Sequence, residues 1–99
     1  MDETASNAEA YARLLDLVAG GLPARTNSSL IRGGDVFVAL PGAKADGRDY
    51  IPDAVARGAA FVVAAPGTEL PPGADARLIT VDDPREALGE MAARRFGSK

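Results

Sequence analysis

A chain of 99 residues is long enough for one domain with a single modest core. Hydrophobic residues make up 46% of the sequence and charged residues 25%, as in ordinary globular proteins. The sequence has neither cysteine nor histidine, which excludes disulfides, thiolate nucleophiles, the usual zinc sites and a serine–histidine triad within this chain. The net charge of −3, the dispersed charges and the 5% aromatic content argue against a nucleic-acid-binding protein.

The N-terminal segment MDETASNAEA is acidic and lacks the basic and apolar regions of a signal peptide. No apolar run reaches the roughly eighteen residues that a membrane-spanning helix needs. We therefore expect a cytoplasmic protein without a membrane span.

The first third of the chain predicts a helix followed by a brief strand. Ser6-Asn7-Ala8-Glu9 has the spacing of a capping box and predicts the start of the helix. Its apolar face would be formed by Tyr11, Leu14, Leu15 and Val18. Gly20-Gly21 is expected to end this helix. Residues 24–29 then predict the brief strand, before a turn at Gly33-Gly34.

The middle of the chain predicts two buried strands separated by a loop and a short helix. Residues 36–40, VFVAL, form a continuous apolar run of the kind found in strands buried on both faces. Residues 41–48 are polar and rich in glycine, which predicts a loop. Residues 51–57 have the spacing of a short helix capped by Gly58, and residues 60–64, AFVVA, predict the second strand.

The last third predicts a surface connection over residues 66–73, a strand over residues 78–81 and a final helix. Asp83 is placed to cap this helix, with Pro84 at its first position. Its apolar face is predicted to comprise Leu88, Met91, Ala92 and Phe96, and Gly97 would follow its end.

Strands that alternate with helices predict an α/β fold, with a small, mostly parallel sheet flanked by helices. We expect residues 1–99 to form one domain. The segment Gly97-Ser98-Lys99 follows a capped helix, where a linker to a further domain would begin.

Three polar segments are candidates for a functional site. Gly42 and Gly47 have the spacing of a phosphate-binding P-loop, but Arg48-Asp49 replaces the lysine and hydroxyl residue of that motif. A loop for another ligand and a plain surface loop remain open. Residues 26–29, Thr-Asn-Ser-Ser, could recognise the edge of a base or sugar, although such residues are also typical of turns. Asp82-Asp83 could form an acid/base or metal pair, but helix capping by Asp83 is a sufficient explanation.

Together, three segments resemble one family. They are Asn27-Ser28, then GGDVFVALPGAKADGRDYIPDAVARGAAFVVA, then DDPREALGEMAARRFG. They resemble the N-terminal domain of the Mur ligases, and most closely the MurE type. The resemblance covers about residues 26–97. The sequence departs from the family pattern in two places: Asn27-Ser28-Ser29 stands where Asp-Ser-Arg is usual, and Arg48 replaces the histidine of D-G-H-D.

The resemblance implies a domain that binds the UDP end of UDP-MurNAc-L-Ala-D-Glu. The residues that it assigns to this site are Thr26, Ser28, Ala43, Lys44 and Ala45. Small residues at 43 and 45 would allow close approach of the backbone, and Lys44 would offer a charge to the diphosphate. A solvated loop lysine is the alternative for Lys44.

The resemblance also implies that ATP, magnesium and amide-bond formation belong to central and C-terminal domains of a longer protein. The N-terminal domain would have no catalytic residue, metal or cofactor of its own. The amino acid added would be meso-diaminopimelate or L-lysine. A MurF-type domain is the alternative within the family, and a free-standing interaction module is the alternative outside it; Arg-Asp-Tyr-Ile and Pro-Arg-Glu-Ala-Leu favour the MurE type.

Overall fold

A computed structural model describes the backbone of residues 3–41 and 46–96, and the side chains of residues 8–41 and 46–95. In this part of the chain the helices are α1 (Glu3–Ala19), α2 (Ile51–Ala56) and α3 (Pro84–Phe96). The strands are β1 (Ala24–Arg25), β2 (Val36–Val38), β3 (Phe61–Ala64) and β4 (Arg77–Thr80). Two short 3-10 helices span Ser28–Leu30 and Gly47–Tyr50.

The four strands form one sheet in the order β1-β2-β3-β4, and every neighbouring pair is parallel. The register places Val36 beside Ala24 and Phe61, and Val62 beside Leu78. The predicted α/β fold with a parallel sheet is therefore confirmed.

Helices cover both faces of the sheet, so the apolar strands are buried on both sides as predicted. α1 and α3 pack on one face, over a cluster that includes Leu14, Val18, Val36, Val38, Val63, Ile79 and Met91. α2 lies on the other face, over a cluster that includes Ile31, Phe37, Ile51, Ala54, Val62 and Ala64. The alternation along β2 and β3 follows from the two-residue period of a strand.

The predicted start of α1 is wrong. The helix begins at Glu3, so the Ser6–Glu9 segment lies inside it. Alanine and glutamate are strong helix formers, and a glutamate in the first turn is favoured by the helix dipole, which allows the helix to extend past a capping signal. Its end at Gly20-Gly21 is confirmed, with Gly21 at a φ of 116°.

The predicted strand over residues 24–29 is too long. Only Ala24–Arg25 pair with β2, and Ser28 begins a 3-10 helix. The side chain of Asn27 accepts hydrogen bonds from the backbone N–H and the hydroxyl of Ser29, at 3.0 and 2.7 Å. Such local bonds satisfy the backbone without a strand partner, so the chain turns away from the sheet.

Most other boundaries differ from the predictions by one or two residues. β2 ends at Val38 rather than at residue 40, although the Ala39 N–H still donates to the Val63 carbonyl at 2.8 Å. α2 ends in a turn at Gly58, which has a φ of 99°. This confirms the predicted cap, because a positive φ favours glycine.

The N-terminus of α3 is confirmed, but part of its predicted apolar face is wrong. Asp83 accepts hydrogen bonds from the N–H groups of Arg85 and Glu86, at 3.1 and 3.2 Å. Ala87 and Met91 are buried and Leu88 is half-buried, whereas Ala92 is exposed. Hydrophobicity does not distinguish one alanine from another, and the tilt of the helix on the sheet decides which is covered. The side chain of Phe96 and all of Gly97 lie outside the described residues.

Candidate ligand site at the carboxyl edge of the sheet

The carboxyl ends of the four strands meet at one edge of the sheet, which we call the carboxyl edge. Thr26 follows β1 there, residues 39–41 follow β2, and residues 81–83 lead from β4 into α3. Ligands of parallel α/β sheets bind outside this edge. The fold therefore brings the predicted Thr26 and the start of the predicted ligand loop to adjacent strands.

The two described ends of the predicted loop after β2 lie side by side. The Gly47 N–H donates to the Leu40 carbonyl at 2.8 Å. A Cβ at Gly47 would lie 2.6 Å from the Leu40 nitrogen, a contact that no side chain can make. Glycine is thus required for the close approach of the two backbones. The predicted ligand residues Ala43, Lys44 and Ala45 belong to this loop but lie outside the described residues.

A charged pair fixes the exit of the same loop. Asp46 caps the Gly47–Tyr50 turn by accepting the Arg48 N–H at 2.9 Å, and Arg48 Nη2 lies 2.6 Å from Asp46 Oδ2. The hydrogen bonds from Arg48 hold the pKa of the Asp46 carboxyl below its usual range. Arg48, which replaces the family's histidine, thus has a partner within its own turn.

The N-terminus of α3 reaches the other end of the loop. Arg85 Nη2 lies 3.4 Å from the Pro41 carbonyl oxygen, a long hydrogen bond between groups 44 residues apart in sequence. The guanidinium is exposed. The predicted role of Asp83 as a helix cap is confirmed by its bonds to α3, and this accounts for the Asp82-Asp83 motif without metal or acid/base chemistry.

The Thr26–Ser29 segment presents two kinds of residue. Thr26, Asn27 and Ser29 are exposed, whereas Ser28 is buried, with 6% of its surface accessible. Asn27 and Ser29 bond to each other, as described above, which is the predicted turn chemistry. The predicted ligand residues of this segment, Thr26 and Ser28, therefore differ in exposure, with Thr26 accessible and Ser28 buried.

The hydroxyl of Ser28 has a partner that the sequence did not suggest. Ser28 Oγ donates to Asp53 Oδ2 at 2.8 Å, across a separation of 25 residues. Asp53 lies in the first turn of α2 and also accepts Arg57 Nε, at 3.2 and 3.1 Å from its two oxygens. The bond from Ser28, followed by that from Arg57, holds the pKa of the Asp53 carboxyl below its usual range.

Sequence reasoning missed Asp53 because its local context explains it fully. A carboxylate in the first turn of a helix is favoured by the helix dipole, and an arginine four residues later is a common surface pair. Nothing near Asp53 in sequence indicates a serine partner. Only the packing of the Ser28–Leu30 turn on α2 reveals it.

An open cavity of about 890 Å³ lies away from these residues. It is lined by residues of α1 and by the first residues of β3 and β4, Phe61 and Arg77. Its charged lining residues are Glu9, Arg13, Asp16 and Arg77, two of each sign. The cavity therefore has no marked preference for an anion, and it contains none of the predicted site residues.

Within residues 3–41 and 46–96, no three His, Cys, Asp or Glu side chains are grouped so as to hold a metal ion. No helix in the same part of the chain is long and apolar enough to cross a membrane. The polar groups at the carboxyl edge can form hydrogen bonds and ion pairs with a ligand.

The fold is that of a small α/β domain with a parallel four-stranded sheet. The model of the Mur ligase family, catalytic domain, matches residues 25–96. The chain belongs to the Mur ligase family.

Curated relatives carry a more specific name. The chain is 45% identical over 78 residues to the UDP-N-acetylmuramoyl-L-alanyl-D-glutamate–2,6-diaminopimelate ligase of Rhizobium meliloti, a match that covers 79% of this chain and 15% of that protein. It is 42% identical over 91 residues to the ligase of the same name from Janthinobacterium, covering 88% of this chain and 18% of that protein. The chain thus spans less than a fifth of the length of these relatives.

Solved structures of the family share the fold. The MurF ligase of Thermotoga maritima in complex with ADP has a TM-score of 0.66 and 32% identity, with 83% of this chain and 18% of that chain covered. MurF of Acinetobacter baumannii gives a TM-score of 0.62 at 26% identity, covering 84% of this chain and 20% of that one. The predicted membership of the Mur ligases and the similarity to MurE are confirmed.

Proposed function

We propose that this chain is the substrate-anchoring domain of a MurE-type ligase. It binds the UDP portion of UDP-MurNAc-L-Ala-D-Glu for ATP-dependent addition of the third amino acid of the peptidoglycan stem peptide. The observation that carries this proposal is the 42–45% identity, over most of the chain, to proteins named as ligases of that dipeptide. Such an enzyme works in the cytoplasm and serves cell-wall growth, cell shape and division.

The proposed site is the carboxyl edge, with Thr26 and Ser28 on one side and Ala43, Lys44 and Ala45 on the other. Its support is the parallel register of β1 and β2, which ends both strands side by side, and the hydrogen bond between the Gly47 N–H and the Leu40 carbonyl. Binding energy gathered at the UDP end would position the distant carboxylate that reacts in another domain.

Two further domains complete the proposed enzyme, a central one that binds ATP and magnesium and a C-terminal one for the amino acid. In this proposal the ligands of the metal belong to the central domain. ATP would activate the D-Glu carboxyl group there. This chain contributes only binding and orientation. The relatives' names favour diaminopimelate over L-lysine as the added amino acid.

Backbone NMR of the ¹⁵N-labelled chain titrated with UDP tests the site. We expect amide shifts confined to residues 26–29 and 42–47, with a Kd near the millimolar range, which corresponds to roughly 4 kcal/mol of binding free energy. GDP and CDP are matched controls for the base and should bind more weakly. Shifts restricted to α3 or to the cavity beside α1 would contradict the proposed site.

An assay of turnover tests the division of labour between domains. With ATP, magnesium, UDP-MurNAc-L-Ala-D-Glu and diaminopimelate, the 99-residue chain should release no phosphate above the level in buffer. Turnover by the purified chain would contradict an anchoring role.

The solved structures support a second candidate, a MurF-type domain, because MurF proteins match the fold with TM-scores of 0.62–0.66. The two types differ in the peptide on the substrate rather than in the UDP end. A longer protein that contains this chain should turn over the muramoyl dipeptide if it is of the MurE type, and the tripeptide if it is of the MurF type. A free-standing module would turn over neither.

A further inference from the structure

Ser28 is held in one hydrogen-bonding state by a residue on another helix. An ionised carboxylate only accepts hydrogen bonds, so the 2.8 Å contact between Ser28 Oγ and Asp53 Oδ2 uses the single proton of the hydroxyl. Arg57, whose Nε lies 3.1 Å from the same oxygen, keeps the carboxylate oriented and charged. The depressed pKa of Asp53 is consistent with an ionised carboxylate at neutral pH.

Because the hydroxyl proton of Ser28 is donated to Asp53, it is not available for a hydrogen bond to a ligand. Once the hydroxyl proton points at Asp53, only the lone pairs of Oγ remain, and these accept. Ser28 keeps 6% of its surface accessible. A diphosphate oxygen carries no proton at neutral pH and would meet these lone pairs with repulsion. The partner of Ser28 must therefore be a donor.

We infer that Asp53 is a positioning residue that turns Ser28 into a hydrogen-bond acceptor, so that Ser28 recognises an N–H or O–H donor of the nucleoside, and not the diphosphate. This inference rests on the proposed UDP site and specifies its polarity. Uridine offers such donors at the imide N–H of the base and at the two ribose hydroxyls.

The experiment compares UDP with three analogues that each lack one donor: N3-methyl-UDP, 2′-deoxy-UDP and 3′-deoxy-UDP. For each protein, the Kd of every analogue is divided by the Kd of UDP, measured by NMR titration. A substitution that damages the site in general weakens the binding of all four ligands and leaves these ratios unchanged. A substitution that removes the contact with one donor changes only the ratio for the analogue that lacks that donor.

In the unmodified chain, one of the three ratios should be about ten, which means that this analogue binds about tenfold more weakly than UDP, as expected for loss of one hydrogen bond in a buried site. In Ser28→Ala the same ratio should fall to about one, because the acceptor is gone. In Asp53→Ala it should fall below about threefold, because the freed hydroxyl rotates and donates as readily as it accepts. Asp53→Asn retains an acceptor oxygen and should restore most of the discrimination. Asp75→Asn, at an exposed site, is the matched control and should change nothing.

Two results would overturn the inference while leaving the proposed function intact. In the first, UDP binds at the carboxyl edge but Ser28→Ala keeps all three ratios of the unmodified chain. In the second, Asp53→Ala keeps the selective ratio, which would mean that Ser28 needs no positioning. Absence of any UDP binding at residues 26–47 would overturn both the inference and the proposed function.

Discussion

An aspartate that is paired with an arginine lies at each edge of the sheet, and the two aspartates differ in exposure. At the edge where the strands begin, the amino edge, Asp35 is buried and accepts Arg25 Nε at 2.9 Å and the Arg32 N–H at 3.0 Å. At the carboxyl edge, Asp53 also accepts an arginine, but its side chain is 45% exposed and its other donor is the hydroxyl of Ser28.

The surroundings of each aspartate explain the difference. The backbone carbonyl of Asp35 accepts the Ala60 N–H, and the Gly34 N–H donates to the Gly58 carbonyl beside it, so main-chain contacts close the amino edge around Asp35. Gly58 approaches Gly33 so closely that an added Cβ would lie 3.0 Å from its Cα. The carboxyl edge leaves Thr26 and Arg85 exposed. The contacts around Asp35 therefore stabilise the fold, whereas Thr26 and Arg85 stay exposed at the edge proposed to bind the ligand.

Gly47→Ala should have the largest effect, because it disrupts the close contact between Gly47 and the backbone of Leu40. The added Cβ would meet the backbone of Leu40 at 2.6–2.9 Å, and backbone cannot move aside as a side chain can. We expect a loss of about 3 kcal/mol in the free energy of unfolding, measured with urea, together with loss of UDP-induced shifts.

Gly89→Ala is the matched control, since a Cβ there meets nothing within 4 Å and the position lies inside α3. It should increase the free energy of unfolding by about 0.5–1 kcal/mol. Equal stability of the two variants would mean that the contact between Gly47 and Leu40 does not define the loop.

Asp35→Ala separates the two edges. It removes a buried acceptor of two hydrogen bonds and leaves Arg25 without its partner, which should lower the free energy of unfolding by about 2 kcal/mol. Below the melting temperature, the Kd for UDP should stay within about twofold of the original value, because the side chain of Asp35 bonds to Arg25 and Arg32, which are not residues of the proposed site. A tenfold weaker Kd in a folded variant would show that the edges are coupled.

Ser28→Ala should affect both stability and binding. The sequence alone suggests a turn residue or a ligand contact, but the bond to Asp53 adds a structural role. We expect a loss of about 1 kcal/mol in the free energy of unfolding, measured with urea, beside the change in UDP selectivity. Asn27→Ala tests the neighbouring turn and should leave the UDP selectivity unchanged. Unaltered stability of Ser28→Ala would contradict the importance of the Asp53 bond.

Acid should weaken the carboxyl edge through Asp53. Its pKa is lower in the folded chain than in the unfolded chain, so its contribution to stability is present above the unfolded value of about 3.8 and is lost as the pH falls through the lower folded value. Thermal denaturation between pH 6 and pH 3 should show Asp53→Asn less stable than the original chain at pH 6, with a smaller difference between the two at pH 3. A difference that does not vary with pH would exclude a role for the ionised carboxylate.

High pH should produce the smallest change in stability. This change arises at Tyr11, which lies away from both edges of the sheet. Tyr11 on α1 donates to Glu90 on α3 at 2.7 Å, and burial, reinforced by this bond, raises the pKa of Tyr11 above 10. Its contribution is complete below pH 10 and is lost as the pH rises further. Tyr11→Phe should cost about 0.5 kcal/mol at pH 7, and the difference should shrink above pH 10. Denaturation of both proteins in urea, at pH 7 and above pH 10, measures this difference in the free energy of unfolding.

The sequence by itself determined the features that depend on neighbouring residues. Continuous apolar runs identified β2 and β3, and the Asp83-Pro84 pair identified the start of α3, because short-range hydrogen bonds and burial act within a few residues. The resemblance to Mur ligases supplied the site residues, of which Thr26 and Ser28 lie in the described structure at the carboxyl edge. Ala43, Lys44 and Ala45 stay predictions.

Only the tertiary structure decided which polar groups meet and which alanine of α3 is buried. Ser28 and Asp53 are 25 residues apart, and each has a sufficient local explanation, a turn residue and a helix-terminal acid. Ala87 is covered and Ala92 is not, although both fit an apolar stripe. Such outcomes depend on how a helix tilts and where a turn packs, and these are set by contacts between distant segments that no local pattern records.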